Sequence, residues 1–125
     1  MIQPDFLYIE EADFILIDLY RFGNSTSPRF DNIRLFKDVA IIKLNGIDVI
    51  VANGNGISLS SIFDPTKKNT WKLAKYTPIP SGLVLVKDKR PGRSDHYMLA
   101  ASSNIPFTKY IGLLQELAIH CKKVS

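Results

Sequence analysis

The sequence predicts an α+β fold: a compact, bent antiparallel β-sheet core closed by a C-terminal helix. Three observations predict it. Short apolar runs of strand composition recur from Phe14 to Ala101, punctuated by Gly, Pro, Asn and Asp. Asn45-Gly46 stands between two such runs, the strongest short-range hairpin signal. Helical periodicity comes only at the end, where Ile111, Leu114, Leu117, Ala118 and Cys121 repeat at spacings of three and four. Strands followed by a single helix indicate an α+β arrangement rather than alternating β and α units.

In chain order, residues 1–13 lack a clean period and read as an extended arm or short edge element. Phe14 to Arg21, FILIDLYR, has strand composition, with Ile15, Ile17, Leu19 and Arg21 on one face. Arg21 therefore falls on the more apolar face. A guanidinium held against a core needs an anion or several acceptors, because burying an unpaired charge is costly; pairing with Asp18 or Asp31, or an escape to water, is the plain alternative. Phe22 to Lys37 is a long loop of turn formers that carries Asn24, Arg29 and Arg34 and is able to close over an anion.

The hairpin Val39–Leu44 and Ile47–Ala52 delivers the chain into VANGNGISLSSIFDP, residues 51–65. There two glycines remove the Cβ obstacle and Ser58, Ser60 and Ser61 supply hydroxyls, which suits a loop that approaches a ligand closely. The plain alternative is a surface turn between strands. Trp71 to Leu73 is a short strand, and Thr77-Pro78-Ile79-Pro80 a proline-punctuated turn. Leu83–Asp88 and His96–Ala101 form another strand pair across a basic turn. In the helix, Thr108 is the expected cap, and Lys122 and Lys123 suit the negative end of the dipole.

Composition limits the function. The chain has 125 residues, 46% hydrophobic and 22% charged, enough for one domain, 1–125, with its own core. A lone cysteine, Cys121, excludes an internal disulfide and favours an intracellular home; on the helix's apolar face it reads as core rather than nucleophile. Acids among the first apolar residues argue against a cleaved signal peptide, and no run approaches the ~20 apolar residues of a membrane span. A cytoplasmic location is expected, with any export by a route that reads no cleaved signal. The net charge of +4 suits phosphate-bearing cofactors, an acidic protein or nucleic acid. The charge is spread out, however, without the interleaved aromatics of single-strand binders, which makes nucleic acid an unlikely partner.

One cysteine and two histidines, His96 and His120, cannot build a Cys/His zinc cluster, so no metal is expected. Gly54 and Gly56 lack the Lys-Ser/Thr sequel of a P-loop and precede no helix. His96 opens a strand and could face the same cavity as Arg21; His120 sits late in the helix.

These residues together resemble a known family. Leu19-Tyr20-Arg21, Gly56-Ile57-Ser58 followed by Phe63-Asp64, Thr77-Pro78-Ile79-Pro80 with Leu83, and His96-Tyr97 before the closing helix are similar to the secreted cytotoxins exported by type VI secretion systems, with related domains in fungi. The resemblance spans about Asp18 to Leu117. It implies a compact ADP-ribosyltransferase-like fold and an intracellular toxin that uses NAD as substrate, neutralised in bacteria by a cognate immunity protein. Arg21 would hold the cofactor's ribose or phosphate, Ser58 with Ser60 or Ser61 would line the nicotinamide side, and Asn24 is a further cofactor-binding candidate. His96 would hydrogen-bond the substrate or do acid–base work, making Arg21 and His96 the catalytic candidates. Two departures matter. The late-strand glutamate common among such transferases is missing: the three glutamates are Glu10, Glu11 and Glu116, leaving Asp95 or His96 as the replacement. Ala74, Tyr76 and Ala101 stand where relatives favour proline, glycine and proline. Outside the family reading, a non-enzymatic protein-binding domain using Lys89, Arg90 and Arg93, or a small ribonuclease toxin using His96, would also fit the basic surface.

Overall fold

A computed structural model describes residues 7–10, 14–35, 37–88 and 91–125. Most of the N-terminal arm, including Glu11, and the basic pair Lys89 and Arg90 lie outside the described residues. The described strands are β1 Leu7–Glu10, β2 Leu19–Phe22, β3 Ile41–Leu44, β4 Ile47–Ile50, β5 Gly56–Ser60, β6 Thr70–Leu73, β7 Leu83–Asp88, β8 His96–Ala101, β9 Ile105–Pro106 and β10 Lys122–Lys123, with one helix, α1, over Phe107–Ala118. They form a seven-stranded sheet in the order β1-β7-β8-β5-β2-β6-β10 and a three-stranded sheet β3-β4-β9. All named pairs are antiparallel. The fold is α+β, as expected.

The hairpin forms as its residues dictate. Asn45 and Gly46 take φ of +53° and +78°, the two positive angles of a type I′ turn, and Leu44 pairs with Ile47. Downstream, Gly54 turns the chain at φ +86° while Gly56 opens β5. The reason for Gly56 is a backbone contact: a Cβ there would stand 1.8 Å from the Leu99 carbonyl oxygen of β8. The strand pair β7–β8 has the expected bounds.

Alternation then sorts the large sheet. Leu19, Ile57, Leu59, Leu73, Leu85 and Leu99 enter the main core with Tyr110, Leu114 and Leu117 of α1. On the other face Val86, Met98 and Ala100 make a second apolar cluster. The polar row of the site continues along that second face.

Three expectations are corrected. Phe14 to Asp18 is not strand: Phe14 makes an isolated bridge to Pro78, the chain bends at Leu16 and Ile17, and Ile17 is exposed. The bend costs the alternation its regularity, so β2 starts only at Leu19. Thr108 does not cap the helix; Pro106 is the N-cap, with no side-chain cap bond. Proline suits that position because its amide lacks the hydrogen that would otherwise need a partner. Finally, Lys122 and Lys123 do not end the helix but form β10 against Lys72 and Trp71 of β6, and His120 lies exposed in the intervening turn.

Tyr76 keeps a left-handed backbone, φ +76°, where the resembling family favours glycine. Its ring rests against Phe14 at 5.8 Å between centroids and beneath the Lys75 ammonium at 5.0 Å. A bulky side chain thus holds a backbone conformation that glycine tolerates best.

Candidate active site

The site begins where two strands part. β2 pairs with β6 at four register positions but with β5 at only one, Tyr20↔Ser60. Beyond that point β2 and β5 diverge, and the gap leaves the carbonyl edge of β5 without a strand to bond. Arg21 fills it. Its Nη1 donates to the Ser58 carbonyl at 2.8 Å, Nε and Nη2 donate to the Arg29 carbonyl at 3.2 and 3.0 Å, and Nη2 donates to the Asn32 carbonyl at 3.2 Å. The Phe30 ring lies 5.8 Å from the guanidinium carbon. Several acceptors, then, rather than Asp18 or Asp31, satisfy this half-buried charge. Asp18 instead pairs with Lys72, and Asp31 with Arg29. Burial lowers the Arg21 pKa, and the nearby Asp38 opposes the effect.

The parted strands open a cleft of about 470 Å³, lined on its polar side by Arg21, Asn32, Arg34, Asp38, Ser58, Ser60 and His96. That volume lies in the range of about 300–1,000 Å³ usual for small-molecule sites. Tyr20, Phe22, Leu59 and Ile62 supply apolar lining. Phe63 packs on Tyr20 with ring centroids 5.3 Å apart. Asp64, the other half of the Phe63-Asp64 motif, accepts from the Thr66 amide and hydroxyl, and those donors hold its carboxyl below the ordinary value. Its role is to close a turn. At the rim Arg34 donates to the buried Asp38 from Nη2 to Oδ1 at 2.9 Å, from Nε to Oδ1 at 3.2 Å and from its backbone N to Oδ2 at 2.8 Å.

Three neighbouring strands contribute the chemistry. Cross-strand register sets Ser60 opposite His96, Ser58 opposite Met98, and Met98 opposite Val86, so Ser58, His96 and Asp88 share one face. The His96 Nε2 lies 2.9 Å from the Ser58 Oγ, and its Nδ1 lies 2.7 Å from the Asp88 Oδ2. Asp88 is wholly buried and His96 retains 20% of its side-chain exposure. A carboxylate on Nδ1 fixes the imidazole tautomer and aims Nε2 at the serine hydroxyl. The arrangement can take a proton from Ser58 or from a group bound beside it.

The structure thus brings together Arg21, Ser58, Ser60 and His96 of the expected residues. It does not bring in Ser61 or Asn24. Ser61 is absent from the lining, and its amide donates to the Asp95 carbonyl. Asn24 has its Oδ1 taken by the amides of Thr26 and Ser27, and its carbonyl accepts from the Trp71 indole. Asn24 therefore shapes the loop rather than the cleft. Asp95 is also outside the lining, with its carboxylate accepting from the Ser60 Oγ at 3.4 Å, and Glu116 is exposed on α1. Sequence reasoning missed Asp88. The signal was present: extending the alternation of Val84 and Val86 puts Asp88 on the face that His96, Met98 and Ala100 occupy. Cys121 lies beyond the end of α1 rather than on its face, partly buried against the core, and burial pushes its pKa up to about 12.

Among the described residues no group of three or more His, Cys, Asp or Glu is placed to hold a metal ion, and no helix is long and apolar enough to cross a membrane. No curated protein and no solved structure matches the chain. The sequence profile of the family described as Tse2 ADP-ribosyltransferase toxin matches residues 18–125, starting one residue before β2. With the match covering that much of its length, the chain belongs to the Tse2 ADP-ribosyltransferase toxin family.

Proposed function

We propose that the protein is an intracellular toxin that binds NAD in the cleft between β2 and β5 and transfers its ADP-ribosyl group to an acceptor in the cytoplasm of the target cell. Family membership supports a toxin of ADP-ribosyltransferase type. The observation that carries the finer reading is the meeting, in one cleft, of the Arg21-braced gap and the Ser58–His96 hydrogen bond.

The residues fit the substrate's chemistry. Arg21 has five N–H hydrogens, and its four hydrogen bonds among the described residues leave one Nη1 hydrogen for a phosphate or ribose oxygen. Arg34, raised in pKa by the hydrogen bonds it donates to Asp38, keeps a second guanidinium at the rim. The tyrosine and aliphatic lining can take a flat, uncharged ring.

Breaking the nicotinamide bond develops oxocarbenium character at the ribose carbon, so groups must favour that state over the bound substrate. His96 accepts the proton released when an acceptor hydroxyl or water attacks, a contribution typically worth about 10²–10⁴-fold. Ser58 and Ser60 orient the ribose side. A cognate immunity protein is the partner that such a toxin calls for.

Calorimetric titration of purified protein with NAD, paired with an assay for released nicotinamide, tests the reading. We expect binding within the ordinary range of about 1 μM–1 mM. His96→Ala should retain the fold and binding while losing release. Folded wild-type protein that gives no heat and no nicotinamide across that range would overturn the proposal.

A further inference from the structure

The geometry points to Ser58 as an activated nucleophile, not only a wall of the cleft. We propose that His96 is its general base, that Asp88 is the positioning residue behind His96, and that Ser58 forms a covalent bond with an electrophile bound in the cleft.

Three observations support this assignment. A serine hydroxyl is a weak nucleophile unless an adjacent base removes its proton, and the structural signature of activation is a base within about 2.6–3.2 Å that is itself oriented by a third group. Ser58 Oγ to His96 Nε2 is 2.9 Å, and His96 Nδ1 to Asp88 Oδ2 is 2.7 Å, so both links satisfy it. The order of exposure is also right. The serine and histidine line the cleft, whereas the carboxylate is completely buried beneath them. Lastly, the three residues sit on β5, β8 and β7, consecutive strands zipped at five register positions on each side of β8, which holds the row rigidly.

Its neighbours are occupied otherwise. Ser60 donates toward Asp95 at 3.4 Å and accepts from the Ile62 amide at 3.1 Å, while its register partner His96 turns Nε2 to Ser58 instead. The machinery therefore selects one of the clustered serines.

The step balances without an added reactant. On the reading proposed above, on which this choice of electrophile rests, the Ser58 Oγ bonds to the ribose carbon that bears nicotinamide. The carbon–nitrogen bond breaks with its electron pair returning to the pyridine nitrogen, and the Ser58 proton goes to His96 Nε2. The product is a serine O-glycoside of ADP-ribose plus free nicotinamide. With a fluorophosphonate the same geometry gives a serine–phosphorus bond, fluoride as leaving group and the proton again on His96.

The fluorophosphonate is the decisive probe because it needs no NAD. Purified full-length protein is treated with it, and the labelled residue is located by peptide mass spectrometry. Labelling at Ser58, at least tenfold faster than at Ser60 or Ser61, is expected. It should vanish in Ser58→Ala and His96→Ala and fall at least tenfold in Asp88→Asn, while Ser61→Ala labels as wild type. Circular dichroism and thermal melts establish that each variant is folded. In Asp88→Asn, nitrogen-15 NMR of His96 should also show a changed tautomer ratio, which a merely structural role would not produce. If Asp88→Asn fails to fold, the comparison of His96→Ala with His96→Gln still decides. Labelling of wild type that is no faster at Ser58 than at the other serines, or is undiminished in His96→Ala, overturns the proposal. Labelling at Ser58 in a protein that binds no NAD would keep the nucleophile and refute the NAD reading; NAD turnover with an unreactive Ser58 would do the reverse.

Discussion

The junctions on the two sides of β5 differ sharply. Toward β8, β5 is zipped from Gly56↔Ala100 to Ser60↔His96, so tightly that the Gly56 α-carbon faces the Leu99 carbonyl with no room for a side chain. Toward β2 it is paired only at Tyr20↔Ser60, and beyond that point a guanidinium replaces the missing backbone donors. One side of the strand thus has the rigidity that fixed catalytic geometry requires, and the other has the opening that a ligand requires. The difference is one of hydrogen-bond donors. A strand supplies amides at a fixed pitch and closes the gap, whereas an arginine supplies several donors from one point and leaves room around it.

The comparison can be broken first on its closed side. Gly56→Val forces a β-carbon into the Leu99 backbone, and we expect a loss on the order of 3–5 kcal/mol, read from urea denaturation, or failure to fold. The open side should give way less. Arg21→Ala strands the carbonyls of Ser58, Arg29 and Asn32, but these can recover water; a cost of about 1.5–3 kcal/mol is expected, together with loss of NAD binding by calorimetry. Arg21→Lys should recover part of the stability and little of the binding, since an ammonium cannot span three carbonyls in a plane.

Smaller still is Tyr110→Phe. The Tyr110 hydroxyl donates to the Leu99 carbonyl at 2.7 Å and accepts from the Ile57 amide at 3.4 Å, and its removal should cost about 0.5–1.5 kcal/mol by urea denaturation with NAD affinity unchanged. The smallest effect belongs to Asp18, just before the parted strand. Its carboxylate accepts from the Lys75 amide at 2.7 Å, which lowers its pKa below 3.8, with Lys72 adding a weaker attraction. A depressed folded-state pKa means that stability is present above the unfolded value and lost as pH falls through the folded one. Asp18→Asn should therefore flatten the acid limb of a stability–pH curve below about pH 4, by under about 0.5 kcal/mol because the side chain is 43% exposed and screened.

Local patterns carried much of the architecture into view. Asn45-Gly46, the β7 and β8 bounds and the closing helix were legible because each depends on residues near one another in the chain. Arg21 was conspicuous as a charge on an apolar face, and its need for several acceptors followed from the cost of burial. What was hidden depends on register and on long-range pairing. Asp88 and His96 are joined across a turn too long to set strand register by its type, so alternation shows the face that Asp88 takes but not that it stands against His96. Asn24 offered a cofactor ligand by composition, yet a neighbouring turn claims its oxygen. Thr108 offered a cap by type, but the chain enters the helix two residues earlier.

Tyr110 extends the helix's inward face one turn before Leu114, and its hydroxyl stands between the Ile57 amide and the Leu99 carbonyl. Burial pushes its pKa upward, so the phenol remains a donor at any ordinary pH. A helix that supplies one link of a strand ladder cannot lift away without loosening that ladder. Amide hydrogen exchange at Ile57 should consequently proceed only through the largest cooperative opening of the molecule, with the same protection as the amides of Leu114 and Leu117, and α1 should unfold together with β5 and β8.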